Sequence, residues 1–124
     1  CGKAVLSLYS TKVTDVGGQL LVQSLDRPEL KDLTWDLGDT AVGDNTAMAL
    51  GSSLRACSKL EKAVLSLYST KVTDVGGQLL VQSLDRPELK DLTWDLGDTA
   101  VGDNTAMALG SSLRACSKLE KAVL

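Results

Sequence analysis

The stretch LSLYSTKVTDVGGQLLVQSL, residues 6–25, decides the reading of this chain because it returns letter for letter at residues 65–84. A looser version, WDLGDTAVGDNTAMALGSSL, fills residues 35–54 and returns at 94–113. Aligning the two places Leu6, Leu8, Thr11, Val13, Asp15, Leu21 and Leu25 against Trp35, Leu37, Thr40, Val42, Asp44, Leu50 and Leu54, an offset of 29 residues. Residues 3–61 and 62–120 are identical over 59 positions, and residues 121–124, KAVL, begin a third copy. The elementary repeat is therefore 29–30 residues long and present four times. A period of that size implies units that each bury an apolar face only against their neighbours. Identity without drift marks a recent tandem duplication, a repetitive array or a deliberate design. Cys1 and Gly2 do not match the Leu60 and Glu61 that precede the second copy and read as a cloning remnant, which leaves residues 3–124 as one domain.

Within each unit the hydrophobic period changes. Leu33, Trp35 and Leu37 alternate with Thr34, Asp36 and Gly38, and Ala4, Leu6 and Leu8 alternate with Val5, Ser7 and Tyr9, the pattern of a strand with one buried face. After Val42 the spacing turns helical, with Ala47, Leu50, Leu54 and Cys57 at three- and four-residue steps, then Leu60. Asp15 and Asp44 sit at the helix starts, where a carboxylate caps free amides. Gly17 and Gly18 weaken the first turn of one helix, and Pro28 and Pro87 lie beyond helix ends. Each unit reads as strand, turn, helix and return.

These residues resemble the leucine-rich-repeat family, most closely its ribonuclease-inhibitor-like class. The likeness is strongest in LTWDLGDTAVGDNTAMALGSSLRACSKLE, residues 33–61, whose helix reads Asp-x-x-Ala-x-x-Leu-x-x-x-Leu-x-x-Cys-x-x-Leu. The half-unit LSLYSTKVTDVGGQLL is similar to the cysteine-containing class, whose turn reads Val-Thr-Asp-x-Gly. The resemblance implies an α/β solenoid: a right-handed β/α coil with a parallel sheet on the concave side and helices on the convex side. Two departures carry expectations of their own. Thr11, Thr40, Thr70 and Thr99 stand where the family places the Asn or Cys of a ladder between adjacent coils, which predicts a weaker ladder built from hydroxyls. The spacing from Leu33 to Val42 is two residues longer than usual, which predicts a longer or bulged strand.

Composition narrows the function. The 124 residues are 44% hydrophobic with only four aromatic side chains, so the core is aliphatic. Thirteen basic and sixteen acidic residues are spread evenly, which speaks against a nucleic-acid surface. No run approaches the length of a membrane span. The three cysteines, Cys1, Cys57 and Cys116, read as small thiols, the last two buried and Cys1 exposed and free, which favours a cytoplasmic setting.

Histidine is absent, which removes the commonest general base, the serine triad and most zinc sites. Asp36, Asp39 and Asp44 recur with the repeat as Asp95, Asp98 and Asp103 and so read as strand, turn and cap positions rather than a cation site. Gly17–Gly18 lacks the remaining signature of a phosphate loop. Trp35 and Trp94, in step with Leu33 and Leu37, read as core rather than as ligand-stacking residues. No enzymatic activity and no cofactor or metal is expected.

What remains is surface. The outward strand positions Ser7, Tyr9, Thr34 and Asp36, with Ser66, Tyr68, Thr93 and Asp95, form a candidate protein-binding face, since tyrosine among small polar residues suits recognition. The first and last units expose layers that inner units bury, and these layers match each other. The leading expectation is a non-catalytic repeat scaffold, designed or excised from a longer array, that self-associates end to end as a homo-oligomer. The alternative is a natural interaction module binding a partner protein through its concave sheet, with no nucleic-acid or membrane partner in either case.

Overall fold

The alternation of strand and helix patterns is realised in the computed structural model, which describes residues 2–25 and 27–124. Five strands and four α-helices alternate among the described residues: β1 (Lys3–Ser7), α1 (Asp15–Val22), β2 (Asp32–Asp36), α2 (Asp44–Ala56), β3 (Lys62–Ser66), α3 (Asp74–Gln82), β4 (Asp91–Asp95), α4 (Asp103–Arg114) and β5 (Lys121–Val123). All strands pair in parallel in the order β1-β2-β3-β4-β5. Register follows the repeat, with Lys3 opposite Asp32 and Asp32 opposite Lys62. The molecule is thus an α/β fold on one parallel sheet.

Strand alternation decides which face is dry. Leu33 and Trp35 of β2, Ala63 and Leu65 of β3, and Leu92 and Trp94 of β4 are buried in one core with Val22, Ala47, Leu50, Leu54, Leu80 and Val81 of the helices. The intervening strand residues stay partly exposed, so the helices cover a single face of the sheet. Helices touch only sequence neighbours: α1 meets α2, α2 meets α3, and α3 meets α4. Trp35 and Trp94 are core residues, as the alternation predicts, with their indole N–H groups buried and without a hydrogen-bond partner. Cys57 and Cys116 are buried as well, their thiols donating to the carbonyls of Leu25 and Leu84 at 3.5 and 2.8 Å. The expectation for Cys1 lies outside the described residues. No helix among the described residues is long and apolar enough to cross a membrane.

The turn after each strand corrects two expectations. Strands β1 to β4 are regular five-residue elements in continuous register rather than bulged, and the extra length lies in the turn that follows. There Ser10, Asp39, Ser69 and Asp98 adopt left-handed backbone, with φ of 59°, 53°, 55° and 51°. The threonine just beyond closes the turn locally: Thr11, Thr40, Thr70 and Thr99 donate to the carbonyls of Leu8, Leu37, Leu67 and Leu96, three residues back. Their hydroxyls therefore form no ladder between units. A short hydroxyl reaches its own strand-end carbonyl, where a longer amide would reach across.

Candidate functional site

The ladder between units is built instead by aspartates. Asp15, Asp44 and Asp74 are the first residues of their helices, and each carboxylate reaches across to the start of the next helix. Asp15 accepts from the amides of Gly43 and Thr46, both at 2.8 Å, and from the Thr46 hydroxyl at 2.6 Å. Asp44 accepts from the Thr73 amide at 2.8 Å, the Thr73 hydroxyl at 2.7 Å and the Gly76 amide at 3.1 Å. Asp74 repeats the pattern on Gly102 and on Thr105, whose hydroxyl lies at 2.6 Å. The expectation that Asp15 and Asp44 cap their own helices is therefore corrected. The capping positions proper belong to Thr14, Gly43, Thr73 and Gly102, and the carboxylates serve the unit that follows. Amides at a helix start carry partial positive charge, which favours a carboxylate there from whichever unit supplies it.

Electrostatics agree with the geometry. Burial pushes the Asp15 carboxyl up, but hydrogen bonds from the Thr46 side chain and from the backbones of Gly43, Thr46 and Asn45 outweigh it and hold the group below the usual carboxylate range. The Thr105 hydroxyl and the Gly102 amide lower Asp74 in the same way.

At the other end of the helices the contact runs backwards. The Arg86 guanidinium is buried and donates to the carbonyls of Leu54 and Cys57, at the C-terminal end of α2. A cation there answers the negative end of the helix. Burial pulls the Arg86 pKa down, while neighbouring Glu88 raises it. One seam earlier, Ser53 of α2 makes a similar backward contact, donating to the carbonyl of Val22 at the end of α1 at 2.8 Å.

Glycine makes room for this seam. A Cβ on Gly76 would lie 2.6 Å from Asp44 Oδ1 and 2.9 Å from Asp44 Cα. The expectation that Gly17 and Gly18 weaken a helix turn leaves out a reason that applies to Gly18 and Gly76: two helices approach closely there. A readable signal existed, since Gly-Gly inside a helix pattern is costly unless something packs against it.

The sheet face opposite the helices holds the sequence-predicted binding residues. Register lines up Ser7, Asp36, Ser66 and Asp95 as one row, with Val5, Thr34, Val64 and Thr93 as the row beside it. Tyr9 and Tyr68 stand beyond the strand ends, 53% and 44% exposed. The polar row is partly engaged already: Asp36 and Asp95 accept from the Gly38 and Gly97 amides at 2.9 Å. Ser7 and Ser66 likewise accept from the amides of Tyr9 and Tyr68. A shallow depression of about 520 Å³ crosses this face over Thr34, Asp36, Val64, Ser66, Thr93 and Asp95. All eight predicted residues thus lie on or beside one face, whereas Arg86, Gly76 and the aspartate ladder went unread as contacts.

No protein-family model and no curated protein sequence matches the chain. Among solved structures the chain is similar to one titled Leiomodin-1 Actin-Binding Site 2 (ABS2), with a TM-score of 0.69 and 18% sequence identity over 98% of this chain and 69% of that one. The likeness is one of fold.

Proposed function

We propose that the chain is a non-catalytic leucine-rich-repeat solenoid, a scaffold that stacks end to end on further copies of itself. One observation carries this reading: identical residues of the two copies are buried where a unit precedes them and exposed where none does. Leu65 is 2% exposed against β2, while its counterpart Leu6 on the sheet edge is only partly buried. Arg86 is buried against α2, while the Arg27 side chain is 42% exposed beside Glu29. The surface that residues 62–120 use to sit on residues 3–61 is thus repeated on residues 3–61 and is more exposed there. A heterologous contact of this kind builds chains or rings.

The test blocks one face at a time. Gly17 is open, with only Val13 near a would-be Cβ, yet its counterpart Gly76 has no room for one. Gly110 has nothing within 4 Å, while a Cβ on its counterpart Gly51 would lie 3.1 Å from the Leu79 carbonyl oxygen. The wild type is expected to grow in mass with concentration by light scattering. Gly17→Ala and Gly110→Leu are each expected to remain monomeric alone and to form a one-to-one dimer when mixed. A wild-type monomer at every concentration overturns the proposal, as do single variants that associate like the wild type.

A second reading, recognition of a partner protein through the concave sheet, is favoured by the exposure of Tyr9 and Tyr68 beside the depression. The neighbour of similar fold is itself titled an actin-binding site. Tyr9→Ala with Tyr68→Ala serves as the control in the same scattering experiment. Stacking should be unchanged, and its loss would move the association to the sheet face.

A further inference from the structure

Strand β5 stands where a stacked copy would have to put its own β1. Lys121, Ala122 and Val123 lie opposite Asp91, Leu92 and Thr93, just as Lys62, Ala63 and Val64 lie opposite Asp32, Leu33 and Thr34. The sequence KAVL is the same at 3–6, 62–65 and 121–124. β5 therefore offers β4 the same side chains in the same register as an incoming β1 would, and both cannot be there at once.

Resting on the stacking proposed above, we infer that copies of this chain join by strand exchange, with β1 of one copy displacing β5 of the other. The exchange is nearly symmetrical for the backbone. The amides of Glu120 and Lys121 that donate to the Lys90 carbonyl leave, and the equivalent amides of the incoming chain replace them. It is favourable for side chains. β5 is three residues long and β1 five, so the incomer adds Leu6 opposite Trp94 and Ser7 opposite Asp95, in the register that Leu65 and Ser66 keep against Trp35 and Asp36. It also brings Thr14 and the Gly17 amide to the Asp103 carboxylate, in the manner of Thr73 and Gly76 on Asp44.

β5 itself is lightly held. Ala122 is exposed and Leu124 is 59% exposed, whereas Ala63 and Leu65 at the same positions of the second copy are 1% and 2% exposed. Leu124 lies over a cavity of about 310 Å³ with Trp94 and Leu109. β5 thus lies along the edge of β4 that an incoming strand would need. Association then requires β5 to leave that edge.

The experiment weakens β5 without touching β1. Leu124→Asp puts a charge in the cavity shared with Asp95, and Val123→Gly lowers strand preference more gently. Both variants are first checked for an unchanged cooperative melt. Leu124→Asp is expected to lower the apparent Kd of association about tenfold and Val123→Gly about threefold, with faster association in both. Wild-type association with unchanged or weaker association of both variants overturns strand exchange and leaves stacking intact. Monomers in all three cases overturn stacking itself and the exchange with it.

Discussion

Two stretches of identical sequence, residues 3–61 and 62–120, hold the same elements in different surroundings. Thr73 donates its hydroxyl to Asp44 and accepts from the Val75 amide, while Thr14, at the same point before α1, makes no side-chain cap. Ser83 is 2% exposed and Ser24 is exposed, although both donate to the leucine carbonyl three residues back. Gly76 is hemmed in by α2 and Gly17 is open. Local sequence therefore sets the strand, turn and helix, and the neighbouring unit sets which side chains stabilise the fold.

The sharpest way to break that comparison is to make the same change in both copies. Gly76→Ala drives a methyl group into the backbone of Asp44 and is expected to cost about 3 kcal/mol of unfolding free energy. Gly17→Ala meets only Val13 Cγ2, at 3.4 Å. It should gain up to about 1 kcal/mol, because alanine is the better helix former. Urea unfolding at low protein concentration measures both. Equal effects at the two positions would mean that α2 does not constrain α3.

The arginines give a smaller contrast. Arg86→Ala removes a charged donor from the carbonyls of Leu54 and Cys57 and strands two buried acceptors, at about 2 kcal/mol. Arg27→Ala removes an exposed ion pair to Glu29 at 3.9 Å and should change stability by less than about 0.5 kcal/mol. Thermal melts of the two variants compare them directly. A large cost at Arg27 would show that the first copy already carries a partner there.

The contrast also explains how much the sequence disclosed. Strands and helices were legible because their periods are local: Leu33, Trp35 and Leu37 alternate, and Ala47, Leu50 and Leu54 step round a helix. Buried Trp35, Trp94, Cys57 and Cys116 followed from the same phases. The sheet-face residues were legible too, since alternation names both faces of a strand. The roles of Asp15, Asp44, Thr46 and Arg86 were not, because their partners lie 28 to 32 residues away and no local period records them. Thr11 and Thr40 misled for the opposite reason: a position that the family resemblance predicts to contact the next unit is filled here by a side chain too short to leave its own turn.

Acid should produce the smallest difference and test the ladder itself. Asp15 and Asp74 have folded pKa values below the ordinary carboxylate value of about 4, so the unfolded chain binds protons more readily than the folded one. Their contribution to stability is complete above that value and is lost as pH falls through the folded-state values. The urea midpoint should therefore decline below about pH 4 in the wild type. Asp15→Asn and Asp74→Asn should each lower the midpoint at neutral pH and flatten that decline, because an amide no longer gains by losing a proton. Asp103 is the control: it holds the same place in α4 as Asp44 in α2, but no following unit meets it among the described residues. In dilute monomer, Asp103→Asn should keep the neutral midpoint of the wild type. A lowered midpoint in that variant would mean that carboxylates act through their own helices rather than across the seam.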